Sequence, residues 1–157
     1  MQVWFPTTVE NATPLSSIKV TASRCWELDS VNAANDGTLP TSSSDHGVKR
    51  MTWWPNKGTA EWLQYEFLLP QTLKGCAVYW FDDTGKGACR LPASWKIQSQ
   101  DPAGNWADLP VAGTYPVAKD KLCEATFTKP VTTRRLRLSV QLQANVSGGV
   151  LEWKLLP

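Results

Sequence analysis

The sequence predicts an all-β sandwich or barrel, and three features predict it. Apolar residues alternate with polar ones or run in short blocks, with no convincing amphipathic helix. Those blocks are bounded by Gly, Pro, Asn, Asp and Ser. The length, 157 residues, suits one domain, and no internal repeat or linker divides it, so a single domain over 1-157 is expected.

Pro6 and Pro14 punctuate the entry segment, and the first strand is expected over Ile18 to Ser23. Asn35-Asp36-Gly37 is a strong turn signal, and Thr41 to Gly47 is a polar, Ser-rich stretch. In Ala60 to Phe67, Leu63, Tyr65 and Phe67 form an apolar face opposite Trp62, Gln64 and Glu66. A strand over Thr72 to Phe81 leads into Asp82 to Gly87, whose Asp-Asp-Thr-Gly-Lys-Gly reads as a hairpin connection. Ser94 to Gln100 ends at the turn Asp101-Pro102-Ala103-Gly104-Asn105. Leu122 to Phe127 and Arg134 to Leu142 come next, the latter placing Leu136, Leu138, Val140 and Leu142 on one face. Gly149 to Leu155 closes the series.

Composition narrows the function. Charged residues are 19% and hydrophobic residues 42%, an ordinary globular balance. A net charge of +2 argues against a nucleic-acid partner, which usually calls for a basic stripe. The one dense cationic cluster, Arg134, Arg135 and Arg137, reads as a solvated strand face. No apolar run approaches the roughly 20 residues that span a bilayer, so no membrane role is expected. Met1-Gln2-Val3-Trp4 lacks the basic and apolar regions of a signal peptide, so the start says nothing about destination. Cys25, Cys76, Cys89 and Cys123 contain no Cys-x-x-Cys pair, and with one histidine a structural zinc site is improbable. Cys76 and Cys89 flank one hairpin and are the first pair to test for a disulfide; four buried free thiols are the equal alternative.

Nine tryptophans are more than packing alone needs in a domain of this size. The surplus motivates a search for a stacking surface, because the C–H face of a sugar packs well on an aromatic ring.

Three blocks carry a family resemblance: Ile18 to Trp26 followed by Ala33-Ala34-Asn35-Asp36-Gly37; Thr52-Trp53-Trp54-Pro55 with Glu61 to Phe67; and Gly148 to Trp153. Together they resemble the discoidin-like, or coagulation-factor type C, domains, a superfamily that includes carbohydrate-binding module family 32. Val78 to Asp83 and Cys89 to Trp95 look like accessory domains of large bacterial glycoside hydrolases, some acting on plant cell-wall polysaccharides. The resemblance implies a jelly-roll β-sandwich of the galactose-binding-domain type, one structural calcium, and a ligand site on loops at one end. It also implies a secreted, periplasmic or cell-surface bacterial protein, a monomeric module covalently linked to a catalytic domain.

For the calcium, the Asp-Gly loop and late Glu of the family fall on Asp36 and Glu152, with Ala33, Thr38 and Leu151 offering carbonyls. The segment between Thr38 and Trp53 is longer than the family pattern, which leaves the next ligand open among Thr41, Ser42 and Ser43, with Ser43 preferred. Without a metal, Asp36 simply caps a turn.

For sugar, the resembled fold sends its recognition loops through Trp26, His46 to Asn56, Asp82 to Arg90 and Gln143 to Gly148. Asp82, Asp83 and Arg90 are the expected hydroxyl-binding set, since carboxylates and guanidinium offer paired hydrogen bonds in fixed geometry. Trp26 and Trp54 are the expected stacking faces, with His46 and Asn145 flanking. Adjacent strand residues point to opposite faces, so of Trp53 and Trp54 one is expected outside the core. Asp83 and Arg90 equally suit a structural ion pair. Asn145 and Asn11 open glycosylation acceptor sequences that carry no meaning in a bacterial protein.

No enzyme is expected. One histidine and no Gly-x-Ser-x-Gly leave nucleophilic catalysis without a base or an elbow. A glycosidase needs carboxyls roughly 5–10 Å apart across a bond, and Asp82 and Asp83 are chain neighbours that diverge on a strand. The expected function is a non-catalytic module directing a glycoside hydrolase to galactose- or arabinose-containing glycans. The alternative is a structural sandwich that braces a catalytic domain without binding sugar.

Overall fold

The structure is a computed structural model that describes residues 17–157. Asn11 and the Pro6 and Pro14 entry segment lie outside the described residues. Among the described residues, seven antiparallel strands run in chain order: β1 (Lys19–Ala22), β2 (Met51–Thr52), β3 (Ala60–Phe81), β4 (Ser94–Gln100), β5 (Trp106–Asp108), β6 (Leu122–Gln141) and β7 (Gly149–Leu156). Their order is β2-β7-β3-β6-β4-β5, with β1 on β3.

The sandwich is made by two long strands that each serve both layers. The first half of β3 pairs with β1 and with the second half of β6, while its second half pairs with β7 and the start of β6. Register shifts between Glu66 and Gln71 and between Leu73 and Gly75 mark the corner. Bulges of this kind let a strand bend from one sheet into the next. Four strands expected as separate pieces, Ala60 to Phe67 with Thr72 to Phe81 and Leu122 to Phe127 with Arg134 to Leu142, are therefore two continuous elements. Pro70 and Pro130 sit at the corner, where Leu68 and Leu69 are exposed and no apolar alternation survives. The short strands β2 and β5 were not anticipated, because two or three residues are too few to show a period.

Alternation sets the core. Leu63, Tyr65 and Phe67 of β3 and Leu136, Leu138 and Val140 of β6 face inward against Cys76, Val78, Trp80 and Trp153 of the other layer. The second half of β3 is buried on both faces: Tyr79 and Phe81 pack with Cys89 and Leu151 in a second cluster. That explains its unbroken apolar run, since a strand covered on both sides has no face to keep polar. Tyr65 stacks on Trp153 at 3.9 Å between ring centroids. Its hydroxyl lies 3.0 Å from the Ala34 carbonyl and 2.8 Å from the Trp153 carbonyl. This pins the 3-10 turn Val31–Asn35 to β7. All four cysteines are free, so the thiol alternative holds; burial pushes the Cys76 and Cys89 thiols up to about 12.

Candidate functional site

The hairpin after β3 builds the site from two neighbouring carboxylates with different work. Asp82 and Asp83 are both buried. The Asp82 carboxylate accepts from the Thr84 hydroxyl, from the Thr84 amide at 3.1 Å and from the Leu91 amide at 3.0 Å, with Lys119 Nζ 3.4 Å away. Burial raises its carboxyl, but the Thr84 and Leu91 bonds and the Lys119 charge outweigh that and hold it below the ordinary value. Its amide donates to the Ser43 carbonyl at 3.0 Å. Asp82, expected to bind hydroxyls beside Asp83, is thus occupied in closing the hairpin.

Asp83 sits at a hollow. Trp26, Trp54, Arg50, Thr52, Phe81, Asp83 and the segment Gly87 to Cys89 line a cavity of about 270 Å³. Asp83 Oδ1 accepts from the Cys89 amide at 2.9 Å and lies 3.7 Å from Arg90 Nη1. Arg90 Nη1 also donates to the Gly87 and Cys89 carbonyls, both at 2.8 Å. The ion pair and the hairpin staple are therefore one arrangement. His46 stands exposed, with Nε2 4.0 Å from Asp83 Oδ2 and its ring edge-on to Phe81 at 5.6 Å. Its Nδ1 is 2.8 Å from the Ser44 carbonyl, which fixes the ring.

The two indoles arrive from the loops flanking β2. The Trp26 amide donates to the Thr52 carbonyl at 3.1 Å, and the Trp54 carbonyl accepts from Arg24 Nε at 3.4 Å. Both side chains are half-buried. Trp53, by contrast, is fully buried and donates Nε1 to the Trp62 carbonyl at 3.2 Å, so the two neighbours do part company. Lys57 Nζ lies 5.0 Å from the Trp54 ring centroid.

Sequence reasoning missed Phe81 as part of the hollow, and named Arg50, Thr52 and the Gly87 to Cys89 segment only as parts of recognition loops. Arg50 lies over Phe81 at 5.0 Å and 3.4 Å from Asp29, whose carboxyl burial keeps above its ordinary value against the pull of Thr52 and Arg50. Asn145 is not brought to the hollow: it is exposed, with φ of 65°, in a turn whose backbone meets Gly58.

A second acidic site lies at the corner between the 3-10 turn and β7. Glu152 is buried, and its Oε2 has no hydrogen-bond partner among the described residues. Its carboxyl is pushed up to about 8, first by burial, then by the charge of Asp36 and a side-chain hydrogen bond with it. Asp36 Oδ1 accepts the Thr38 amide at 2.9 Å, and Ala33, Asp36 and Thr38 line a common hollow. Leu151 is the extra residue of a bulge: Tyr79 faces Glu152 and Trp80 faces Val150, leaving Leu151 without a register partner on β3. Ser43 is engaged elsewhere, its amide donating to Asp120 Oδ1 and its hydroxyl accepting from the Asp120 amide, both at 2.8 Å. Among the described residues there is no cluster of three or more His, Cys, Asp or Glu; a cation held at this corner would draw on two carboxylates and on carbonyls, an all-oxygen set of the kind calcium prefers.

The F5/8 type C domain model matches residues 19–154. The chain belongs to that family. Among solved structures, the F5/8 type C fold of this chain is similar to a family 32 carbohydrate-binding module of C. perfringens NanJ in complex with galactose. That likeness has a TM-score of 0.66 at 14% identity, covering 91% of this chain and 96% of that one. It is also similar to the Streptococcus pneumoniae β-galactosidase BgaA, with a TM-score of 0.68, 16% identity and coverage of 88% and 90%. A chitosan-binding module of a Paenibacillus sp. IK-5 chitosanase/glucanase gives 0.64, 19% identity and 90% and 96%. At these identities the likeness is one of fold: an antiparallel β-sandwich of the galactose-binding type.

Proposed function

We propose that this F5/8 type C domain is a non-catalytic carbohydrate-binding module that holds an attached glycoside hydrolase against polysaccharide outside the cell. One observation carries the reading: two half-exposed indoles, Trp26 and Trp54, share a hollow with the Asp83 carboxylate, with Arg90 and His46 at its edge. Aromatic surface beside a few convergent polar groups is what a sugar ring needs. The cavity, about 270 Å³, is smaller than most drug-sized pockets and suits one ring of a polymer. Carbohydrate-binding modules among the structural neighbours support the same reading. Shallow sites of this kind gain about 0.5–1.5 kcal/mol net per hydrogen bond, which gives dissociation constants of about 0.1–1 mM. Linkage to an enzyme compensates by raising its effective concentration at the polymer.

The second part of the proposal is a structural calcium at Asp36 and Glu152, with carbonyls of Ala33, Thr38 and Leu151. The unpartnered Glu152 Oε2 beside Asp36 supports it, because burial and the Asp36 carboxylate keep Glu152 protonated until a cation between them favours its ionised form. Bound there, the ion ties the first loop to the last strand and contributes stability.

Calorimetric titration against galactose- and arabinose-containing oligosaccharides, with calcium present, tests the sugar reading. Wild type binds at least one, and Trp54→Ala weakens it about tenfold or more with the melting temperature held. Silence across the panel sinks it.

A further inference from the structure

The flat outer face of the larger layer carries a second aromatic site. Cross-strand partners share a face, and the register runs Gln64 to Arg137 to Gln98 to Asp108 across β3, β6, β4 and β5. Two residues from the ends of that row stand Trp62 and Trp106, both half-buried. They grip one cation: the Arg137 guanidinium carbon lies 4.5 Å from the Trp62 centroid and 4.2 Å from that of Trp106. Arg137 Nε and Nη2 donate to Gln64 Oε1 at 3.1 and 2.7 Å. None of these residues lines the loop-end hollow.

The charges on this face do not balance. Lys96 pairs with Asp108 at 3.0 Å and Arg135 with Glu66 at 3.2 Å. Among the described residues those are its two carboxylates. Arg137 and Lys19, which faces Glu66 from β1, have no ion pair among the described residues. Four cations against two anions leave an excess of +2 on a surface of indoles and amides. Like charge argues against a second copy of this chain, and a neutral glycan offers the gripped guanidinium hydroxyl oxygens but no counter-charge.

We propose that this face is a second carbohydrate-binding surface and that its ligand is an acidic, uronate-bearing polysaccharide. The indole edges pack on the sugar rings, Arg137 meets a uronate carboxylate with its remaining donors, and Gln98 serves neighbouring hydroxyls. Guanidinium suits that partner because its fork matches a carboxylate's two oxygens. The surface stands independently of the loop-end site.

The test uses the intact chain, with polygalacturonate and a neutral galactan as probes in affinity electrophoresis at about 0.15 M salt. Wild type binds polygalacturonate, and Arg137→Gln and Trp106→Ala each weaken that binding about tenfold, one charge-assisted contact or one indole edge together with its hold on Arg137 being lost. Added salt weakens it further. If Trp106→Ala releases β5, Trp106→Phe and Gln98→Ala give smaller losses with unchanged melting. The proposal is overturned if wild type ignores polygalacturonate, if Arg137→Gln binds it as wild type does, or if Trp54→Ala abolishes it, which would place the polymer in the loop hollow. Silence toward neutral sugars alone sinks the loop-end reading and leaves this one intact.

Discussion

The loop-end hollow and the Asp36–Glu152 corner both gather acidic side chains, yet they treat charge in opposite ways. At the hairpin that borders the hollow each carboxylate is satisfied by the protein itself: Asp82, behind the hollow, by two backbone amides and Lys119, and Asp83, which lines it, by the Cys89 amide and Arg90. At the corner Glu152 is buried beside Asp36 with an oxygen unpartnered. Satisfied charge is pre-organised to bond a neutral ligand without moving. A buried carboxyl held in its neutral form by a neighbouring carboxylate ionises there only when a cation arrives. On the proposed reading, the first region serves a polyhydroxy ligand and the second an ion.

The largest effect expected comes from breaking the satisfaction inside the hairpin. Asp82→Ala leaves the Thr84 and Leu91 amides unpaired and costs about 2–4 kcal/mol in chemical denaturation. The sign with pH follows. Because the folded carboxyl is held below its ordinary value, its contribution is present above the unfolded value of about 4 and is lost as pH falls through the lower, folded one. Asp82→Asn should therefore lose less stability than wild type on acidification below about pH 4. An equal acid loss in both proteins places the acid sensitivity elsewhere.

The corner gives the next effect. Calcium at a hundredfold excess over its dissociation constant adds about 2.7 kcal/mol, or about 5–10 °C in Tm for a domain this size. Scanning calorimetry with calcium and with chelator measures it. Glu152→Gln should abolish the difference while also relieving the repulsion from Asp36, so the chelated variant melts no lower than chelated wild type. A calcium response that survives Glu152→Gln removes the corner from consideration.

How much of this was legible follows the same physics. Alternation revealed the strands wherever one face is polar, as in Ala60 to Phe67 and Arg134 to Leu142. It failed at the corners around Pro70 and Pro130, where the alternation lapses although bulges carry both strands through. At the site, Asp83, Trp26 and Trp54 were readable as residue types in the right loops, and all three line the hollow. Asp82 was not separable from Asp83, because which of two adjacent carboxylates turns toward Leu91 depends on the return of the hairpin. Thr52, Phe81 and the Gly87 to Cys89 backbone are ordinary β residues and turn residues; only packing of distant loops makes them walls. Ser43 had the right chemistry for a metal, and nothing local announces its engagement with Asp120, 77 residues away.

The smallest effect sharpens the comparison most, because it moves one carboxylate without removing it. Gly87 packs so closely on Asp83 that a Cβ there would lie 2.2 Å from Oδ2 and 2.9 Å from Cγ. Gly87→Ala meets a side chain, and the clash is relieved by rotating the Asp83 carboxylate away from the Cys89 amide and Arg90. Arg90 keeps its bonds to the Gly87 and Cys89 carbonyls, so the hairpin stays closed. The expected outcome is a loss of about 1 kcal/mol or less in stability and of about tenfold in affinity for whichever neutral glycan the wild type binds. Arg137→Gln serves as the reference, since it leaves the hollow untouched. If Gly87→Ala binds sugar as wild type does, Asp83 is a hairpin brace like Asp82, and the distinction between the two carboxylates falls.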